Sequence, residues 1–245
     1  MFDRISGVYD LMNTAMTAGL HHRWRERAVD IARVGPGSRA LDVATGTGDM
    51  AIELGRRVAP AGEVVGSDFS EAMLDRARAK ADAGGTSAVR PRFEWADAMA
   101  LPYADDSFDS ATVGFGARNF ENLAQGLSEM ARVVRPGGSV VVLEITTPTR
   151  PPLSLFYRVW FDRIVPLLGR LAGGIMGVAS LVGLSSSEGE IADAYTYLPS
   201  SVRRFPAPTE LAAEMERAGL CEIRYVLIAG GIVAIHAGTV SPESA

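Results

Sequence analysis

Three carboxylates of this 245-residue chain share one setting: each stands where an apolar run gives way to a turn. Asp49 closes Thr45-Gly46-Thr47-Gly48-Asp49, Asp68 ends Glu63-Val64-Val65-Gly66-Ser67-Asp68, and Asp97 follows the run 91–95. Gly46 and Gly48 permit a tight turn and a close backbone approach to a ligand. Thr47 offers a hydroxyl between them, and a helix starting just beyond would present free N–H groups. Asp68 lies 22 residues after Gly46, where a carboxylate can take the hydroxyls of a ribose. Asp97 is placed to accept from an adenine amino group, with the backbone of Ala98 set to meet the ring nitrogen beside it. The chemistry these residues suit is capture of an adenosine-containing cofactor.

Such residues need a scaffold that brings strand ends together. Runs at 39–44, 63–68, 91–95, 108–113 and 139–143 read as strands, the last a continuous valine-rich stretch of the buried kind. Helical patterns fill 50–58, a stretch capped by Ser70 that runs to Ala81, and 122–134, which stops at Arg135-Pro136-Gly137-Gly138. The alternation predicts an α/β fold with a doubly wound, mostly parallel sheet. Residues 222–229 and 232–238, joined by Gly230-Gly231, read as a closing antiparallel hairpin and bring the strand total to seven. Residues 1–34 are expected to form N-terminal lid helices, with a helical pattern around HHRWRERAVDIARV. Residues 148–205 are expected to be an apolar helical insertion within a single domain, 1–245.

The glycine loop alone leaves two cofactors open. Gly46-Thr47-Gly48-Asp49-Met50-Ala51 also satisfies the dinucleotide pattern with alanine at the last position, so NAD and S-adenosylmethionine both fit it. Asp49 decides between them. A carboxylate beside a diphosphate is repelled, whereas it suits a ligand carrying an ammonium and a sulfonium. Together with Asp97 and the antiparallel ending, it favours S-adenosyl-L-methionine over a nicotinamide cofactor.

Bulk properties remove other classes. A net charge of −5 gives no basic field for nucleic acid. One cysteine, Cys221, excludes an intramolecular disulfide and fits a reducing compartment. The three histidines, His21, His22 and His236, make no set with metal-ligand spacing, so no metal is expected. Asp3, Arg4, Asp10 and Arg23 interrupt any apolar leader, which points to the cytoplasm. The fourteen apolar residues 171–184 are too few to span a bilayer and read as a buried or interfacial helix.

At these motifs the chain resembles the class I methyltransferases, and more narrowly the menaquinone/ubiquinone C-methyltransferase family (UbiE/COQ5), nearest its demethylmenaquinone methyltransferase branch. The matching segments are Phe2-Asp3 through Asn13, Leu41–Asp49, Asp68–Leu74, Asp97-Ala98 with Leu101-Pro102, and Asp106–Asp109. They continue through Gly114-Phe115-Gly116-Ala117-Arg118-Asn119, Arg135–Gly138, Leu143-Glu144, Tyr195–Leu198 and Gly230–His236. The resemblance implies a Rossmann-like fold and C-methylation of demethylmenaquinol to menaquinol, or of another quinol, phenolic or small acceptor. It implies cofactor contacts at Thr47, Asp68, Asp97 and Ala98, with Gly46, Gly48, Phe69 and Gly114 beside them. Tyr9 would reach the methionine carboxylate from the N-terminal lid.

Methyl transfer to carbon requires alignment and stabilisation of charge on a phenolic oxygen. Arg118, just past the fourth strand, is expected either to stabilise that charge or position a water, or else to form a structural ion pair, and Asn119 is the expected orienting amide. His236 is a candidate base, although alternation in the last strand could equally turn it to the core. His21 and His22 read as helix-surface residues. The stripe Leu153, Leu155, Phe156, Val159, Trp160, Phe161, Ile164 and Val165 reads by default as core packing, and would also suit a polyprenyl tail or transient contact with a membrane surface. The oligomeric state is open, a homodimer included.

Overall fold

The computed structural model describes residues 17, 19–83, 89–148, 151, 154–155 and 200–242. Tyr9 and its motif, most of the apolar insertion and the block 195–198 lie outside these residues.

Strands β1 (Arg39–Val43), β2 (Glu63–Asp68), β3 (Arg92–Trp95), β4 (Phe108–Gly114) and β5 (Val134–Ile145) pair in parallel. With β6 (Leu220–Ile228) and β7 (Val233–Val240) they form one seven-stranded sheet in the order β3-β2-β1-β4-β5-β7-β6. The terminal hairpin is present as expected, and β7 runs antiparallel to both β5 and β6. The inner strands are buried on both faces, which is why they read as unbroken apolar runs.

Helices cover each face. α1 (Leu20–Ile31), α2 (Asp49–Val58) and α3 (Glu71–Ala83) contribute Val29, Leu54 and Leu74 to a core with Ala40, Val141, Leu143 and Ile235. α4 (Leu123–Val133) and α5 (Pro208–Arg217) pack Leu127, Met130, Leu211 and Met215 against Leu41, Val43, Val113 and Val142 on the other face. Each such side chain, once fully buried, stabilises by roughly 1.5–3 kcal/mol before its ordering entropy is subtracted. The Asn122 side chain caps α4 by accepting from the N–H of Gln125 at 3.1 Å.

Two details depart from the sequence pattern. The chain enters β5 directly at Val134, so Arg135-Pro136-Gly137-Gly138 forms an irregularity inside a strand: Phe108 pairs with Val134, and Ser110 next with Ser139. Helix α5 has no counterpart in the expected elements, although Pro208 opens it and Glu210 accepts from the Ala207 N–H at 2.8 Å.

His236 belongs to this packing. It is 1 % exposed, stacks on Tyr225, and its Nε2 lies 2.8 Å from the Pro208 carbonyl at the start of α5. Since a carbonyl only accepts, Nε2 carries the proton, and Nδ1 has no hydrogen-bond partner among the described residues. Burial pushes its pKa below the ordinary imidazole value, against the opposing effect of the Pro208 contact. The unfolded chain therefore binds a proton at higher pH than the folded one. The stability His236 contributes is present above about pH 6.5 and is lost as pH falls below it. Urea denaturation of His236→Gln should show a shallower loss of stability between about pH 6.5 and 5 than wild type; equal slopes would contradict a neutral buried imidazole.

Candidate functional site

The sheet reverses direction of growth between β1 and β4, and ligand crevices in such sheets open at that point. Here α2 follows β1 onto one face and α4 follows β4 onto the other, so neither of these helices covers the carboxyl ends of the strands. A cavity of about 330 Å³ occupies that rim. Gly46, Thr47, Asp68, Phe69, Asp97, Ala98, Gly114 and Asn119 all line it, so residues from four turns converge as the strand-end pattern predicts.

The floor is held in an unusual backbone state. Ala44 and Phe115, each directly after its strand, take φ of 51° and 60°, a left-handed conformation costly for residues with a side chain. Gly46 and Gly48 carry φ of 56° and 83°. At Gly48 space is short as well: a Cβ would lie 2.9 Å from both Ala77 and the Phe93 ring. Gly48 thus sits behind the lining while Gly46 faces open space.

Asp68 ties the loop to the next helix. One carboxylate oxygen accepts from the Gly46 N–H at 2.9 Å and the other from the Ser70 N–H at 3.0 Å. Asp97 accepts from the Met99 N–H at 2.9 Å, which fixes its turn. Phe69 and Trp95 are more than half exposed at the rim, joined by the Trp95 indole N–H donating to the Phe69 carbonyl at 2.8 Å.

Asp42, Trp95, Arg25 and Glu121 are among the lining residues that the sequence reading did not single out. Asp42 is buried at the end of β1, where it accepts from the hydroxyls of Thr45 at 2.6 Å and Thr112 at 2.8 Å. Burial pushes its pKa up to about 6, against those hydrogen bonds and the attraction of Arg25. Its only sequence signal is a lone acid inside an apolar strand.

Asp49 is not left open to a ligand ammonium alone. Lys80 donates to it at 2.7 Å and to Thr47 Oγ1 at 2.9 Å, and Arg25 approaches it at 3.6 Å. Burial raises the Asp49 pKa, but the two cations outweigh this and hold it below the usual carboxylate range. Even so, the described wall presents Asp42, Asp49, Asp68, Asp97 and Glu121 against the single cation Arg25. It favours a positively charged ligand.

Other expectations need correction. His21 is not a surface residue: it is 3 % exposed, and its Nδ1 meets Arg25 Nη1. Folding brings His21, His22 and Asp49 within 4.8 Å of one another, a proximity invisible in their spacing. Arg25 and Lys80 already engage His21 and Asp49, and two cations there oppose a metal ion. Arg118 does not line the cavity. Its guanidinium pairs with buried Glu144 at 2.7 Å and donates to the Phe115 carbonyl, while its backbone N–H donates to Glu144. His236 lies on the α5 side of the sheet and is absent from the cavity wall.

This fold and rim define a class I methyltransferase scaffold, and solved structures agree on the fold. An S-adenosylmethionine-dependent methyltransferase from Aquifex aeolicus superposes with a TM-score of 0.60 at 16 % identity, covering 88 % of this chain and 89 % of that one. The sequence matches the ubiE/COQ5 methyltransferase family over residues 1–240, and the chain belongs to that family. Among its relatives, the demethylmenaquinone methyltransferase of Thermus thermophilus is 46 % identical over 97 % of this chain and 99 % of its own length. The ubiquinone/menaquinone biosynthesis C-methyltransferase UbiE of Geobacter sulfurreducens is 41 % identical over 97 % and 86 %. The chain is therefore a methyltransferase. Among the described residues, no helix is long and apolar enough to cross a membrane.

Asp42 and Arg118 each yield an expected outcome. Because the folded pKa of Asp42 lies above its unfolded value of 3.8, its stability contribution is full at low pH and is lost as pH rises through about 6. Asp42→Asn should raise the stability of the ligand-free protein at about pH 8, with a ceiling of about 3 kcal/mol, and leave it unchanged near pH 4. Melting curves at the two pH values measure this. Arg118→Ala strands the buried Glu144 and should cost about 3–5 kcal/mol in denaturant unfolding, while Arg118→Met with Glu144→Leu recovers most of the loss.

Proposed function

We propose that the protein transfers a methyl group from S-adenosyl-L-methionine to a ring carbon of demethylmenaquinol, forming menaquinol. The observation that carries this reading is the convergence of the glycine loop, Asp68 and Asp97 on one acid-rich cavity at the strand ends. Family membership and the activities for which the relatives in Thermus and Geobacter are named support this acceptor.

The residues present fit this cofactor. Asp68 would take the ribose hydroxyls and Asp97 the adenine amino group, with the Ala98 N–H beside the ring and Phe69 against its face. The acid-rich wall suits the cationic sulfonium, which supplies an electrophilic methyl when bound. On the acceptor, the ring-carbon electron pair would form the new carbon–carbon bond as the carbon–sulfur pair returns to sulfur, and the ring proton would pass to solvent water, which restores the aromatic system. Asn119, on the cavity wall, is proposed to orient the quinol oxygen. Arg118 acts as a positioning residue, since its contacts to Phe115 and Glu144 fix the turn that presents Asn119. A polyprenyl acceptor would bring the enzyme into transient contact with a membrane surface.

Methyl transfer from labelled cofactor to a panel of naphthoquinols and benzoquinols, read by product mass, tests the reading. Labelled menaquinol is expected; cofactor binding with no quinol turnover would overturn it. Asp68→Ala should weaken cofactor binding about ten- to a hundredfold, as expected for charge-assisted hydrogen bonds. Calorimetry of wild type should show S-adenosylmethionine affinity rising from about pH 5 to 7, as Asp42 gains its charge.

A further inference from the structure

We infer that Arg25 recognises the α-carboxylate of the cofactor's amino acid end and so selects S-adenosylmethionine over its decarboxylated form. The inference rests on the cofactor assigned under Proposed function. An α-amino acid group carries both charges, and the described cavity wall is lopsided. Five carboxylates can receive the ammonium and the sulfonium, but they repel a ligand carboxylate. Arg25 is the one cation among the described lining residues.

The placement of Arg25 is that of a receptor group. It is 8 % exposed, reaches the cavity from α1, and lies 5.4 Å above the Phe115 ring, which limits its swing. Among the described residues its polar contacts, to His21 Nδ1, the His21 carbonyl and Asp49, all fall on Nη1. The planar guanidinium keeps further donors in a fork suited to a carboxylate. Its one ion pair within 4 Å among the described residues is also shared. Asp49 is 3.6 Å from Arg25 but 2.7 Å from Lys80, so two cations share one carboxylate and an arriving anion completes the set. Lys80 does not line the cavity, and its ammonium holds Thr47 and Asp49.

Calorimetry with two ligands tests this: S-adenosylhomocysteine, and S-adenosyl-3-thiopropylamine, which keeps the ammonium and lacks only the carboxylate. Wild type should bind the first about ten- to a hundredfold more tightly. In Arg25→Met, S-adenosylhomocysteine should fall to the level of the amine, while amine affinity stays the same or rises. Arg25→Lys should retain part of the preference, and it serves if Arg25→Met fails to fold. Equal binding of both ligands by wild type, or equal weakening of both in the variants, would overturn the assignment. Binding of neither ligand by wild type would instead remove the cofactor reading on which it rests.

Discussion

Everything at the site depends on the reversal of strand order between β1 and β4. A right-handed crossover sends the helices after these strands to opposite faces, so neither of those two helices closes over the carboxyl ends. The space is a geometric remainder of the winding. Much of its lining comes from the residues at and just past the strand ends. That is why Asp42, Asp68, Asp97 and Gly114, far apart in sequence, share one cavity.

The electrostatics follow from that crowding. Acids drawn to one rim raise one another's cost, and the protein answers differently at each. Asp68 is stabilised by two backbone N–H groups, and Asp49 by Lys80 and Arg25. Asp42 has only neutral hydroxyls as direct donors and is left on the edge of protonation. A cationic ligand relieves what the fold leaves unanswered, so part of the binding energy is stored as instability of the free protein.

The glycine loop and the strand-end acids were legible because their signals are local: a turn needs glycine, and a strand end shows as a change from apolar to polar residues. Arg25, Asp42 and Trp95 gave no such signal, because their roles exist only once α1 and β1–β3 are assembled. Arg118 illustrates the opposite error. Its position after β4 was read correctly and an ion pair was one of its two readings, but the sequence did not name Glu144, at the end of the neighbouring β5, as the partner. His21 was misjudged because a helix pattern gives a face and not what covers it. Helix α5 was missed because prolines at 206 and 208 look like a turn, although the second sits where a helix accepts it.

The left-handed residues Ala44 and Phe115 bear on how this protein could be redesigned. Replacing Ala44 with glycine or asparagine would suit the backbone and is what a search for thermal robustness would choose. The Ala44 methyl, however, fills the space that Gly116 leaves empty, a Cβ there coming within 2.7 Å of it. A glycine pair would lose that contact and loosen the platform under the ligand, so resistance to heat and catalytic alignment are set against each other at a single methyl group.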